Sequence, residues 1–125
     1  MKINSPQVVD EVLRVVNRYE EALVANDVDA LIDLFWDSPL TIRFGLNESL
    51  MGAEQIEAFR RRRPAMDLAR RVRRRQITTF GDDFATAAIE YTRIADGADG
   101  RQSQTWLRWN GQWKVVLAHI SDLSS

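Results

Sequence analysis

The chain has 125 residues, a formal net charge of -1, and a composition that is 45% apolar and 28% charged, which fits one soluble domain spanning 1–125 and leaves too little chain for a second independent core. It contains no cysteine and one histidine, so disulfides, thiolate chemistry and zinc sites built from Cys or His are excluded by composition, and a site without metal or cofactor is expected. No segment approaches the ~18–20 uncharged apolar residues of a membrane span, and the opening MKINSPQVVDEVL lacks a secretory core and cleavage pattern, so the expectation is a cytoplasmic protein with no membrane partner.

Ser5 is placed to cap a helix that starts at Pro6, and Val9, Leu13, Val16, Tyr19 and Leu23 recur every three or four residues, predicting helix over Ser5 to Ala25. Tyr19 lies on that apolar stripe, where its hydroxyl needs a partner or a cavity. Asn26-Asp27 breaks the pattern, DVDALIDLFW resumes it, and Asp37-Ser38-Pro39 ends it, so two helices should meet at a tight corner. Thr41 to Phe44 and a stretch near Leu50 predict a small strand pair. Here Arg43 takes the opposite parity from Leu40, Ile42 and Phe44. It reads either as a solvated edge arginine or as a carboxylate clamp, since guanidinium offers a planar donor fork that matches two carboxylate oxygens.

A third helix over GAEQIEAFRRRR puts Ile56, Phe59 and Arg60 on one face and stops before Pro64. From Leu68 the period falls towards two, predicting four strands: RRRQITTF, FATAAIEYTRIA, RQSQTWLRWN and QWKVVLAHIS. Asn110-Gly111 marks a type I′ hairpin between the last two. Gln102, Gln104 and Trp106 share one face of their strand, and His119 is read on the face of Trp113, Val115 and Leu117 in the next, so the two rows could line one concavity. A core role is the alternative for His119 and Tyr19 alike. Trp36, with Trp106, Trp109 and Trp113, supplies either bulk or a stacking surface for a planar ligand. Helices first and a long curled sheet after define an α+β architecture in which the sheet wraps the first helix.

Nine of the fifteen arginines lie in RRRRPAMDLARRVRRR, Arg60 to Arg75, while acids dominate the first 57 residues. Such a block can bind phosphates, but it holds no aromatic residue on which a base could stack, which disfavours nucleic acid as a partner and favours a solvated or dimer-facing surface. No nucleotide-binding, nucleophile-elbow or metalloprotease pattern is present. What the residues permit is a pocket of cationic and phenolic groups suited to a small planar anion.

Four stretches, YEEALVANDVDALIDLFW, TIRFGLNESLMGAEQIEAFRRRRP, ITTFGDDFATAAIEYTR and GRQSQTWLRWNGQWKVVLAHIS, carry the elements R-F-G, G-x-x-x-I-x-x-F-R and Q-T-W…A-H-I-S. In this order they resemble the AtzH/HpxZ-like family of the SnoaL-like, nuclear-transport-factor-like superfamily. The family commonly has tyrosine where Phe44 stands, so a proton-transfer role for that hydroxyl is lost here and a packing role survives. The resemblance implies a cone-shaped, mostly antiparallel barrel wrapped around N-terminal helices, a homodimer, and a link to breakdown of small ureido carboxylates in nitrogen catabolism. It implies a decarboxylating amidohydrolase acting on urea-1,3-dicarboxylate to give allophanate, with Tyr19 and Arg43 carrying the chemistry. Trp36, Arg60, Gln104, Trp106 and His119 are the accompanying candidates for substrate binding. A non-catalytic anion-binding subunit that docks on an amidase uses the same residues and is the alternative; fold alone does not decide between them.

Overall fold

In the structure, a computed structural model that describes residues 1–123, the three expected helices form at Pro6–Ala25 (α1), Val28–Leu34 (α2) and Ala53–Arg62 (α3). Ser5 flanks α1 without a side-chain capping bond, leaving Pro6 to set the first turn. At the other end Asn26 turns left-handed (φ 50°), and the Asp27 side chain accepts from the Ala30 N–H at 3.2 Å to start α2. These two adjacent signals make the corner between the helices.

Six strands form one sheet: Ile42–Phe44 (β1), Ser49–Met51 (β2), Arg70–Phe80 (β3), Phe84–Arg93 (β4), Asp99–Trp109 (β5) and Gln112–Asp122 (β6), in the order β2-β1-β6-β5-β4-β3. All neighbours are antiparallel except β1 and β6, which pair in parallel. The meander β3 to β6 follows local turn chemistry, and Asn110 (φ 51°) with Gly111 (φ 78°) makes the two-residue turn expected between β5 and β6. β3 begins five residues before the expected RRRQITTF stretch ends its arginines, so Arg70 and Arg71 are already strand.

The sheet's inner face carries Ala85, Ala87 and Ala118 among the larger Ile89, Tyr91, Trp106 and Val115. Small residues let the backbone approach, and α1 packs into that concavity through Val8, Val12, Val16, Tyr19 and Leu23. The stripe sits one position away from the expected Val9 and Leu13, both only partly buried. Leu31, Leu34 and Phe35 close one end of the core. The cone's other end is left to polar residues.

Candidate functional site

β1 resolves the placement of Arg43. It is flanked by β2 and β6, so it is no edge strand, and its parity is inverted relative to the usual apolar-in rule. Thr41 and Arg43 point inward and are buried, whereas Leu40 is 72% exposed and Ile42 and Phe44 lie half-buried on the outer face. An arginine 4% exposed needs an acceptor, and Arg43 Nη1 donates to Glu48 Oε1 at 2.9 Å. Gly45 makes this possible: the carboxylate of Glu48 lies over it, in the space a Cβ would fill.

Arg60 enters from α3. Its guanidinium is 1% exposed, and Nη2 donates to the Tyr19 hydroxyl at 2.9 Å. Its Nε and Nη1 have no hydrogen-bond partner, and no carboxylate pairs with it among the described residues. Each unmet buried donor costs about 1–3 kcal/mol, so an anion arriving beside Arg60 offsets a cost the fold already bears.

A third arginine, Arg70 of β3, is held by Glu20 of α1 through Nε (2.8 Å) and Nη2 (2.7 Å), and Nη2 also donates to Gln102 Oε1 at 2.6 Å. The guanidinium lies 4.3 Å from the ring centroid of Tyr91. Gln102 in turn places Nε2 at 3.5 Å from the Tyr19 oxygen.

These groups surround a cavity of about 170 Å³, smaller than the ~300–1,000 Å³ typical of drug-sized ligands. Among the described residues, Arg43, Arg60, Arg63, Arg70 and Arg93 line it against two carboxylates, Glu48 and Asp67. Glu48 neutralises Arg43, Glu20 neutralises Arg70, and Asp96 and Asp122 neutralise Arg93. That leaves Arg60 and the half-buried Arg63 without an ion-pair partner among the described residues.

The field shows in the titrating groups. Burial would raise the pKa of the Tyr19 phenol, but Arg60, then Arg43 and Arg70, outweigh it and hold it below its ordinary value of 10.0. Burial, only partly opposed by Tyr19, pushes Arg60 down to about 10, which still leaves it cationic near neutrality. Burial likewise lowers Arg63, with Arg43 adding repulsion. The cavity is an electropositive pocket built around one acidified phenol.

Of the residues expected from sequence, Tyr19, Arg43 and Arg60 reach this cavity. Trp106 and Gln104 lie behind it in the core: Trp106 packs edge-on against Tyr19 (centroids 6.3 Å), and its Nε1 donates to Gln104 Oε1 at 3.0 Å, with Gln104 Nε2 left unpartnered. They support the phenol rather than line the cavity. Trp36 lies in a separate depression beside α2, its ring 5.5 Å from that of Trp109. His119 points outward, edge-on to Phe44 at 5.6 Å. Its expected sharing of a face with Trp113 and Val115 fails because a bulge at Val116 shifts the β5–β6 register between Thr105 and Trp106, after which Ala118 and Ile120 take the inner face. Leu117, on the expected apolar row, is 40% exposed for the same reason.

Sequence reading missed Arg70, Tyr91 and Glu48 as cavity residues. Arg70 was submerged in the arginine block, whose members have separate fates: Arg61 pairs with Asp29 and Glu57, Arg73 with Asp99, and Arg74 with Glu90. Tyr91 carried a usable signal, the alternation of Ala85, Ala87 and Ile89 that ends on it.

Among the described residues no group of three His, Asp or Glu side chains is placed to hold a metal, and no helix is long and apolar enough to cross a membrane. The curved sheet around a buried helix, open at a polar end, defines a cystatin-like, NTF2-like protein. Solved structures show the same fold. A protein of unknown function from the DUF3225 family of Pectobacterium atrosepticum is 43% identical, with a TM-score of 0.95 over 98% of this chain and 95% of that one. A cystatin-like fold protein from Burkholderia xenovorans is 42% identical, with a TM-score of 0.95 over 100% and 98%. An NTF2-like protein of unknown function from Pseudomonas putida shares the fold at 18% identity and a TM-score of 0.80, over 97% and 90%. No curated protein matches the chain. The AtzH-like family model matches residues 1–125, and the chain belongs to that family.

Proposed function

We propose that the chain is a decarboxylating enzyme for a small ureido carboxylate, with urea-1,3-dicarboxylate as substrate and allophanate as product. The observation that carries this reading is the buried Arg60, with two unmet donors, bonded to an acidified Tyr19 at the wall of a cationic cavity. A dicarboxylate brings a countercharge to Arg60 and Arg63, which have no ion-pair partner among the described residues.

An N-carboxylate loses carbon dioxide when its nitrogen gains a proton. The bond from nitrogen to the departing carboxyl carbon breaks, the electron pair stays on nitrogen, and the Tyr19 O–H supplies the proton. Solvent then reprotonates the phenolate. Arg60 and Arg43 hold the anion and stabilise the phenolate left behind, consistent with their lowering of the Tyr19 pKa. A positioned proton donor contributes roughly 10²- to 10⁴-fold. A homodimer has a candidate seat on the sheet's outer face, where Met51, Ile42 and Leu117 stand side by side in register and are exposed or half-buried.

The test is turnover of urea-1,3-dicarboxylate and of oxalurate by the purified chain. Allophanate and carbon dioxide formed above the spontaneous rate support the enzyme. Saturable binding of either anion without turnover replaces it with a metabolite-holding subunit of an amidase.

A further inference from the structure

Among the described residues the Tyr19 oxygen meets only donors. Arg60 Nη2 stands at 2.9 Å and Gln102 Nε2 at 3.5 Å. Which end of the Gln102 amide faces the phenol is dictated by its neighbour. Arg70 is donor-only, so the group it touches at 2.6 Å must be the amide oxygen, and the nitrogen is thereby turned to Tyr19. Arg70 cannot swing away, because Glu20 grips it through two nitrogens and the Tyr91 ring covers its face. With both approaches taken by N–H groups, no acceptor among the described residues receives the Tyr19 proton.

We infer that Gln102 is a positioning residue: locked by the Glu20–Arg70 pair with its amide nitrogen toward Tyr19, it leaves the phenolic proton no acceptor but a ligand in the cavity. The inference rests on Tyr19 being the proton donor of the proposed reaction and explains how that proton is aimed. Gln102 acts through Tyr19 rather than on substrate.

The chain has two tyrosines, so Tyr91→Phe leaves Tyr19 as the only phenol, and its ionisation can be followed by ultraviolet absorbance against pH without any substrate. The charged groups facing it are Arg60 from α3, Arg43 from β1 and Arg70 from β3, and a useful variant must leave those charges alone. In the Tyr91→Phe background, Gln102→Met removes the donor while keeping the side chain's length. The Tyr19 pKa should rise, by less than the about one unit that a short hydrogen bond to a charged group is worth, because the contact is 3.5 Å long. Arg70→Lys keeps the charge but cannot bridge Glu20 and Gln102 with a planar fork, so it should raise the pKa by a smaller amount.

The sign is decisive. An unchanged pKa in Gln102→Met overturns the inference, and a fall overturns it too, because it shows the amide oxygen accepting from Tyr19. Should Gln102→Met not fold, Arg70→Lys decides alone: a rise supports the lock, and no change removes it. Failure of the chain to turn over a ureido carboxylate leaves this titration untouched, so the two readings fail separately.

Discussion

The Arg60 guanidinium and the Tyr19 hydroxyl, 41 residues apart in sequence, meet at 2.9 Å in the interior, and among the described residues no carboxylate pairs with Arg60. A cation and a phenol buried together are poorly served by each other alone, since a neutral oxygen compensates only part of the desolvation of a guanidinium. Under the proposed function, an anionic substrate completes the pair.

Tyr19→Phe removes the proton and keeps the ring that packs between Phe35 and Trp106. The kcat for carbon dioxide release should fall by roughly 10²- to 10⁴-fold, with anion binding retained. Steady-state kinetics with a parallel binding titration check this, and wild-type kcat would remove Tyr19 from the chemistry.

Arg60→Met should separate stability from function. Replacing an uncompensated buried cation with an apolar side chain of similar length should raise stability by roughly 1 kcal/mol or more, seen as a Tm several degrees higher, while anion binding weakens by at least ~10-fold. A variant that binds as tightly as wild type would show that Arg60 is structural.

Arg43 is partly masked by Glu48, and Gly45 leaves room for that mask. Glu48→Gln removes the competing charge, and Gly45→Ala should push the carboxylate aside. Both should lower KM for a dianion, by up to ~10-fold for a hydrogen-bonded charge worth ~1.4 kcal/mol. A raised KM in both would mean that Glu48 serves to aim Arg43.

The pH dependence has a definite sign. Tyr19 must be protonated to donate, and its pKa lies below 10.0 because Arg60, Arg43 and Arg70 outweigh burial. Activity should therefore be lost as pH rises through that lowered value. The same depression favours the folded phenolate, so Tyr19's stabilising contribution is fully present above 10.0 and is lost as pH falls through the folded pKa. A kcat profile and urea melts across the alkaline range, each with Tyr19→Phe as control, read the two effects.

Much of the architecture was legible because its signals are local. Pro6 starts α1, Asn26-Asp27 makes the corner, and Asn110-Gly111 sets the β5–β6 register. The resemblance also implies a shared site for Tyr19 and Arg43, and both side chains line the same cavity. What stayed hidden depends on pairings across the chain. The strand alternation that put His119 inside assumes an unbroken ladder, and the bulge at Val116 breaks it. Arg70 reads as one of nine similar arginines until Glu20, 50 residues away, and Gln102, 32 residues away, single it out. Parity told which residues accompany Arg43 but not which side held the cavity, because at this end of the cone the inner face is polar and the apolar residues face out.

The most direct measurement is carbon dioxide released from carboxyl-labelled urea-1,3-dicarboxylate by the wild-type chain and by Tyr19→Phe, side by side against a protein-free blank. Release well above the blank for wild type, falling close to it for the folded variant, is the predicted result. Equal release from both proteins, or wild-type release no faster than the blank, would contradict it.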